Sequence, residues 1–168
     1  MKKLLLVLAV AFVGVLGAQN IAHYSSQKVL VEYTKAKQAT SDIEQFQNTL
    51  VAEIQTMQTT LEEQYRKLQQ EGAAMSDWER EHLSSSVQDL NQRVQMASQQ
   101  VQEQVYNKQT ELFEPIYIEI EAALKTIAEA KKYDFILDLS GSRGIYSNPA
   151  LDVTDQVIAK LGGSTSAN

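Results

Sequence analysis

The amino-acid sequence predicts an α+β protein that is mostly α, with one long antiparallel helical hairpin of coiled-coil type on a small β body. Two long stretches, residues 26–71 and 77–131, contain almost no helix-breaking residue and repeat their apolar side chains every three or four positions. A glycine and a capping motif separate these two stretches. Short apolar segments flank the hairpin at residues 20–24 and 133–139 and have the composition of strands.

The N-terminus differs in composition from the rest of the chain. Lys2 and Lys3 precede thirteen consecutive apolar residues, Leu4–Leu16, and the small residues Gly17 and Ala18 suit a signal peptidase. Because a membrane span needs about 20 apolar residues, a retained anchor is the less favoured alternative. The pattern therefore predicts a cleaved signal peptide and export of the chain from the cytoplasm.

The charge and the missing cysteines exclude several classes of function. The chain has 15 basic and 21 acidic residues, and removal of the signal peptide with its two lysines leaves a net charge of −8. An acidic balance argues against nucleic-acid binding, which depends on neutralising phosphates, and against simple docking on anionic lipid. Without cysteine there is no disulfide framework, no thiolate metal site and no lipid-modified N-terminal cysteine.

Residues 20–24 predict the first strand, and Ser25 or Ser26 can cap the helix that follows. From there to about Glu71 nothing interrupts a helix, and the apolar stripe has spacings of 3, 4, 4, 3, 4, 4 and 3. This eleven-residue repeat predicts a narrow stripe that needs a partner helix along its length. The stripe consists of Ile43, Phe46, Leu50, Ile54, Met57, Leu61, Tyr65 and Leu68.

Gly72 is expected to end the first long helix, and Ser76 with Glu79 forms a capping box that begins the second. A turn this short, near residues 72–77, makes the two helices antiparallel neighbours. The second helix carries a heptad stripe, and Pro115 predicts a kink within it. The heptad stripe comprises Leu83, Val87, Leu90, Val94, Ala97 and Val101.

The C-terminal part predicts a β-hairpin, in which residues 133–139 pair with Ile145–Tyr146 across a turn. A short helix is expected to begin within Asp152–Asp155. Three strands and one short helix bury little apolar surface, which favours oligomerisation of the body. The expected body-core or oligomer-interface residues are Ile21, Ile116, Ile120, Phe135, Ile136, Leu137, Val157 and Ile158.

The order of these segments resembles the Skp/OmpH family of periplasmic chaperones over essentially the whole mature chain. The most specific match is the C-terminal sequence DVTDQVI, Asp152–Ile158. Further matching pieces are Met75–Glu81 at the turn, Leu112–Ile116, and Ala128–Asp138 before and within the second strand.

The resemblance implies one chaperone domain at residues 19–161, in which 20–24 and 133–161 form the body and 26–131 the hairpin, followed by a flexible tail at 162–168. It also implies a homotrimer whose hairpins surround a cavity, and ATP-independent capture of unfolded outer-membrane β-barrel proteins in that cavity. Familiar members of the family are basic, whereas Asp42–Glu114 of this chain carries 5 basic and 13 acidic residues. Direct membrane contact is therefore expected to be weak or indirect.

A holdase chaperone needs exposed apolar side chains that adapt to many clients. Apolar residues that lie off the two stripes are the candidates for client contact, and methionine suits such a surface because its side chain is flexible. These candidates are Val51, Met75, Trp78, Met96 and Tyr106. The alternative for each is local packing within the hairpin, and Trp78 could brace the turn.

The sequence predicts no enzyme, no cofactor and no metal site, since it lacks a P-loop, a dinucleotide fingerprint and a zinc-protease motif. His23 and His82 lie far apart in sequence, and Asp134 and Asp138 are interpreted as solvated strand carboxylates. A second function stays open at this point: a structural or adaptor coiled coil of the cell envelope that binds one folded partner.

Overall fold

The computed structural model of the chain describes residues 19–141 and 145–162. The expected signal peptide and most of the expected tail lie outside the described residues. The elements are, in order, β1 (Ile21–Tyr24), α1 (Ser26–Glu32), α2 (Thr34–Glu71), α3 (Asp77–Lys131), β2 (Phe135–Asp138), a 3-10 turn (Pro149–Leu151) and α4 (Thr154–Lys160). The prediction of a mostly helical α+β fold is thus confirmed.

The chain forms two compact units. One unit combines residues 19–34 with the described residues from Ile118 onwards, and we call it the body. The other unit, Lys35–Tyr117, contains most of α2 and α3 and the turn between them, and we call it the arm.

The sheet of the body has two parallel strands. β1 and β2 pair with Ile21 opposite Phe135 and with Tyr24 opposite Asp138. Successive side chains of a strand point to opposite faces of the sheet, so Ile21 and Phe135 share one face. Ser25 ends β1 and caps α1, since its hydroxyl accepts a hydrogen bond from the amide of Lys28 at 3.2 Å. Of the two serines that could cap this helix, Ser25 is therefore the one that does.

The predicted β-hairpin is wrong. Residues 145–148 have no regular secondary structure, and Ile145 and Tyr146 are exposed. β2 pairs with β1 instead, and Asp152 adds a single parallel bridge to His23. Two apolar residues are too few to build a ladder of hydrogen bonds, whereas β1 offers β2 a register of four paired residues.

The core of the body lies between the two short helices and the inner face of the sheet. Val29 of α1 and Val157 and Ile158 of α4 are almost completely buried, as are Ala22 and Val153. Burial of a side chain such as valine or isoleucine contributes about 1.5–3 kcal/mol, so burial of these residues stabilises the body.

The eight residues expected in the body core or oligomer interface fall into three groups. Ile116, Ile120, Val157 and Ile158 are buried, and Ile136 is half-buried. By contrast, Ile21, Phe135 and Leu137 are exposed on the outer face of the sheet. These three side chains therefore do not belong to the core of a single chain, although they stay candidates for an interface between chains.

The continuous helix expected from Ser26 to Glu71 is interrupted at Tyr33, which corrects the prediction. Tyr33 has an extended backbone, with φ −73° and ψ 120°, and thus separates α1 from α2. Its ring is buried and its hydroxyl donates a hydrogen bond to the carboxylate of Glu119. Burial of this ring and the phenol–carboxylate bond compensate for the interrupted helical hydrogen bonds.

The second long helix, α3, continues through Pro115 without a break. Proline has no amide hydrogen, so the carbonyl of Glu111 lacks its usual helical partner at this point. The buried residues Ile116, Ile120, Ala123 and Ile127 follow at helical spacing and mark the face of α3 that is packed.

The predicted stripe of α2 is correct except at one position. Its members are half-buried, but Tyr65 is more than half exposed and Gln64 takes the inward position between Leu61 and Leu68. The amide oxygen of Gln64 accepts a hydrogen bond from the hydroxyl of Ser86 on α3 at 3.0 Å. A polar residue thus occupies a stripe position because the facing helix supplies its partner.

Candidate functional site

The turn of the arm is built from a glycine and a capping box. Gly72 donates its amide to the carbonyl of Leu68 at 3.1 Å, and a Cβ atom at Gly72 would lie 2.3 Å from that carbonyl oxygen. At the start of α3, the amide of Glu79 donates to the hydroxyl of Ser76, whose own amide donates to the Glu79 carboxylate at 2.9 Å. Both predictions for this turn are confirmed.

The capping box also sets the charge at the turn. Hydrogen bonds from the hydroxyl and the amide of Ser76 lower the pKa of Glu79 below its usual value. The carboxylate therefore stays ionised at the N-terminal end of α3, where the helix dipole favours a negative charge. Asp77, two residues before it, forms an ion pair with Arg80 one turn along the helix.

Trp78 is the most conspicuous apolar residue of the turn. It is 69% exposed, and its ring touches only one other aromatic ring among the described residues, that of His82, at a centroid distance of 4.7 Å. Met75, in the turn itself, is half-buried. Because most of the Trp78 side chain faces water, burial against the turn does not account for it.

The remaining candidates for client contact lie along the helices. Val51 on α2 and Met96 and Tyr106 on α3 are all exposed. The structure therefore brings Met75 and Trp78 together at the turn, whereas the other three occupy separate positions in the arm. Sequence reasoning missed Tyr65 and Tyr117, both 53% exposed, because the first fitted the stripe and the second lies in a mostly apolar segment.

A groove lies beside the stripe between α2 and α3, in the part of the arm nearer the turn. It encloses about 370 Å³ and has walls from both helices, at positions i, i+1 and i+4 of each. Leu61 and Val87 are the apolar stripe residues, and Tyr65 adds an exposed ring. The polar lining residues are Glu62, Gln88 and Asn91.

The surface of the arm is acidic. Residues 35–117 contain 7 basic and 13 acidic side chains. Several of the basic groups are engaged locally: Arg80 pairs with Asp77, Lys108 pairs with Glu111, and Lys35 and Lys37 also have partners. The negative charge is therefore not neutralised within the arm.

The carboxylates of Asp134 and Asp138, at the two ends of β2, accept hydrogen bonds from backbone amides. Asp134 accepts a hydrogen bond from the amide of Asn20 at 2.8 Å, and Asp138 accepts from the amides of Ser26 and Ser140 at 3.1 and 2.9 Å. The nearby phenol of Tyr24 has a pKa above its usual value because of burial and the charge of Asp138. These interactions fix strand ends and do not form a paired-carboxylate site.

Within residues 19–141 and 145–162, no group of three histidine or carboxylate side chains is close enough to hold a metal ion. His23 instead has its ring nitrogen 3.1 Å from the carbonyl of Asn148, and His82 contacts Trp78. None of the described helices is both long enough and apolar enough to cross a membrane.

Comparisons with known proteins match almost the whole chain. The family model for outer membrane proteins of the OmpH-like type matches residues 20–161. A chaperone protein Skp from Photorhabdus laumondii is 25% identical over 166 residues, covering 96% of this chain and 99% of the relative. One from Vibrio cholerae is 23% identical over 144 residues, covering 86% and 84%. The solved structure of an OmpH-like protein from Caulobacter crescentus has a similar fold, with a TM-score of 0.74 at 20% identity over 86% of this chain and 85% of that one.

Proposed function

Since the chain belongs to the OmpH-like family, we propose that it is an ATP-independent holdase chaperone of the periplasm. In this role it binds unfolded outer-membrane β-barrel proteins and prevents their aggregation on the way to the outer membrane. The relatives named chaperone protein Skp support the chaperone role, and they match this chain over most of its length.

The observation that carries the proposal is the exposure of large apolar side chains on the arm. Trp78 and Tyr106 each leave about two thirds of their surface in water, and Val51, Tyr65 and Met96 add smaller apolar surfaces. A client that buries such side chains gains free energy in proportion to the apolar area covered, and separate weak contacts suit clients without a fixed structure. The shallow groove of the arm also fits a partner that is bound along an extended surface.

We further propose that the body joins three chains through the outer face of its sheet. Ile21, Phe135 and Leu137 expose a continuous apolar surface on two adjacent strands. An exposed apolar sheet face favours association with another protein surface, and a two-stranded sheet is marginal by itself. A homotrimer is the assembly that the resemblance to Skp/OmpH chaperones implies.

Export is the third part of the proposal. The positively charged and apolar N-terminus would direct the chain to the periplasm, with cleavage after Ala18. N-terminal sequencing of the protein purified from the periplasm tests this, and a first residue near Gln19 is expected. A chain that keeps Met1 would contradict cleavage.

Aggregation of a diluted client tests the function. The mature protein is mixed with a urea-unfolded outer-membrane β-barrel protein, the urea is diluted without ATP, and light scattering is recorded. We expect suppressed scattering and a complex of three chains with one client by mass measurement. Free aggregation of the client beside a folded, oligomeric protein would contradict the holdase function and favour an adaptor that binds one folded partner.

Paired variants connect this activity to the exposed side chains. Replacing both Trp78→Ala and Tyr106→Ala should weaken suppression severalfold, because truncating each aromatic ring removes apolar surface that the client buries. Gln58→Ala with Gln109→Ala, at exposed polar positions of the arm, is the matched control and should suppress aggregation like the unmodified protein.

A further inference from the structure

We propose that the groove between α2 and α3 is a specific client subsite, which takes one aromatic or aliphatic side chain whose neighbour in the client is lysine or arginine. The inference rests on the proposed function and names the client segment that the arm prefers. It is carried by three observations: an apolar cleft beside a hydrogen bond that joins the two helices, amides at its rim that bond to no described residue, and a carboxylate beside it that is unpaired among the described residues.

A hydrogen bond between the two helices lies beside the groove. Gln64 and Ser86, which lie next to it on the two helices, are joined by a hydrogen bond of 3.0 Å. This bond holds the helices together at the point where the exposed ring of Tyr65 leaves a cleft above Leu61 and Val87. A cleft of about 370 Å³ is at the small end of the range for ligand sites, about 300–1,000 Å³, and is open enough for one side chain rather than a folded domain.

The rim of the groove offers hydrogen bonds to an extended backbone. Gln88 and Asn91 contribute side-chain amides that bond to none of the described residues. Each amide carries two donor hydrogens and one acceptor oxygen, so it can pair with both the carbonyl and the amide of a client residue. An unfolded chain offers these backbone groups regardless of its sequence.

The charge beside the groove selects the client residue adjacent to the bound apolar side chain. Glu62 lines the groove and forms no ion pair with any described residue. The rest of the arm is also net negative and reinforces the field at this point. A lysine or arginine next to the bound side chain can pair with Glu62, whereas an aspartate or glutamate there would be repelled.

Unfolded outer-membrane β-barrel proteins contain such segments. Their strands alternate lipid-facing apolar residues with lumen-facing polar residues, and aromatic residues form girdles at both edges of the barrel. An extended stretch therefore places polar side chains directly beside aromatic ones. The groove would favour those stretches in which the polar neighbour is basic.

Peptide binding to the mature protein tests the inference. Three fluorescently labelled peptides of about ten residues differ at two adjacent central positions, which are Tyr-Lys, Tyr-Glu or Ala-Lys, and anisotropy gives each dissociation constant. Because an exposed ion pair contributes at most about 1 kcal/mol, we expect Tyr-Lys to bind about two- to fivefold more tightly than Tyr-Glu. The Ala-Lys peptide should bind more weakly than Tyr-Lys.

Two variants separate the groove from the general charge of the arm. Glu62→Gln should remove most of the preference for lysine, whereas Glu63→Gln should keep it. Glu63 is the matched control because it is the adjacent exposed carboxylate and does not line the groove. Both substitutions change one surface charge and preserve the size of the side chain, so loss of folding does not confuse the result.

Each outcome decides the inference. Equal binding of the three peptides, the same preference in both variants, or no peptide binding by a protein that still suppresses aggregation would each overturn the subsite and leave the holdase function intact. Failure to suppress aggregation of the barrel protein would contradict the function itself. Loss of the preference only in Glu62→Gln would support the subsite.

Discussion

Asp138 connects the end of β2 to the first turn of α1. Desolvation acts to raise the pKa of its carboxyl group, but hydrogen bonds from Ser26 and Ser140 outweigh that effect and lower the pKa. The hydroxyl of Ser140 in turn accepts a hydrogen bond from the amide of Gln27 at 2.9 Å. Asp138 and Ser140 thus accept hydrogen bonds from the first two amides of α1. The sequence had indicated only a solvated carboxylate.

Replacing this carboxylate should weaken the body in a pH-dependent way. We expect Asp138→Asn to lower the free energy of unfolding by about 1 kcal/mol at pH 7, since the variant loses charge-assisted hydrogen bonds at a partly exposed site. A group with a lowered folded-state pKa stabilises the protein above its unfolded value, near 3.9, and this contribution is lost as pH falls through the folded value. Urea unfolding of both proteins, at fixed concentration between pH 3 and pH 7, measures the difference.

The control for this prediction is Asp155→Asn. Asp155 forms an ion pair with Lys28 at 3.1 Å, but both side chains are mainly exposed, so the free energy of unfolding should change by less than about 0.5 kcal/mol. A difference between wild type and Asp138→Asn that stays constant down to pH 3 would contradict the role of the ionised carboxylate.

Single residues also show where sequence reasoning fails. Hydrophobicity placed Tyr65 in the stripe of α2, yet Gln64 faces the partner helix because Ser86 offers it a hydrogen bond. The partner lies 22 positions further along the chain, where no local pattern points to it. Tyr65 consequently became a lining residue of the groove, and its exposure could not be predicted from the spacing of apolar residues.

At the scale of elements, the sequence predicted correctly those helix ends that depend on neighbouring residues. It did not predict the features that depend on a partner far away in the chain. The helix end at Gly72 and the capping box of Ser76 and Glu79 depend on residues within one turn of each other, and the structure confirms them. The break at Tyr33 depends on Glu119, and β2 pairs with a strand near the other end of the chain. The predicted hairpin did not form because β1 pairs with β2 over four residues, whereas Ile145–Tyr146 could offer only two.

The close approach at Gly72 predicts that a larger residue will destabilise the turn of the arm. A Cβ atom there would meet the carbonyl oxygen of Leu68 at 2.3 Å, so the backbone must shift. We expect Gly72→Ala to cost more than about 1 kcal/mol, because alanine is incompatible with this backbone environment. Hydrogen exchange of the amides in residues 72–80 would report the loss as faster exchange.

Ala73→Ser, at the exposed neighbouring position, should leave these exchange rates nearly unchanged. If the amides of residues 72–80 exchange equally fast in Gly72→Ala and Ala73→Ser, the close approach of Gly72 to Leu68 does not control the stability of the turn.

At the scale of the whole molecule, the outer face of the body sheet predicts the behaviour of the assembly. Phe135→Asp places a charge in the proposed interface, where it would be buried without a partner. We expect the variant to sediment as a smaller species than the unmodified protein at the same concentration, and to suppress client aggregation less. Analytical ultracentrifugation measures the first effect.

Tyr106→Asp introduces the same charge at an exposed aromatic residue of the arm and should leave the oligomer intact. An unchanged sedimentation coefficient for Phe135→Asp would exclude this face as the interface. Circular dichroism of both variants checks that the long helices stay folded, and near-ultraviolet signals of the aromatic residues check the body.

The parallel pairing of β1 with β2 sets the order in which the protein can fold. The strands join residues 114 positions apart, so β1 has no strand partner until residues 135–138 have been synthesised. The arm needs only neighbouring helices and a short turn, and contacts that are close in sequence form faster than distant ones. A nascent or truncated chain that ends before residue 135 therefore lacks β2 and the paired sheet face, so the interface proposed for the assembly would form only after the arm has been made.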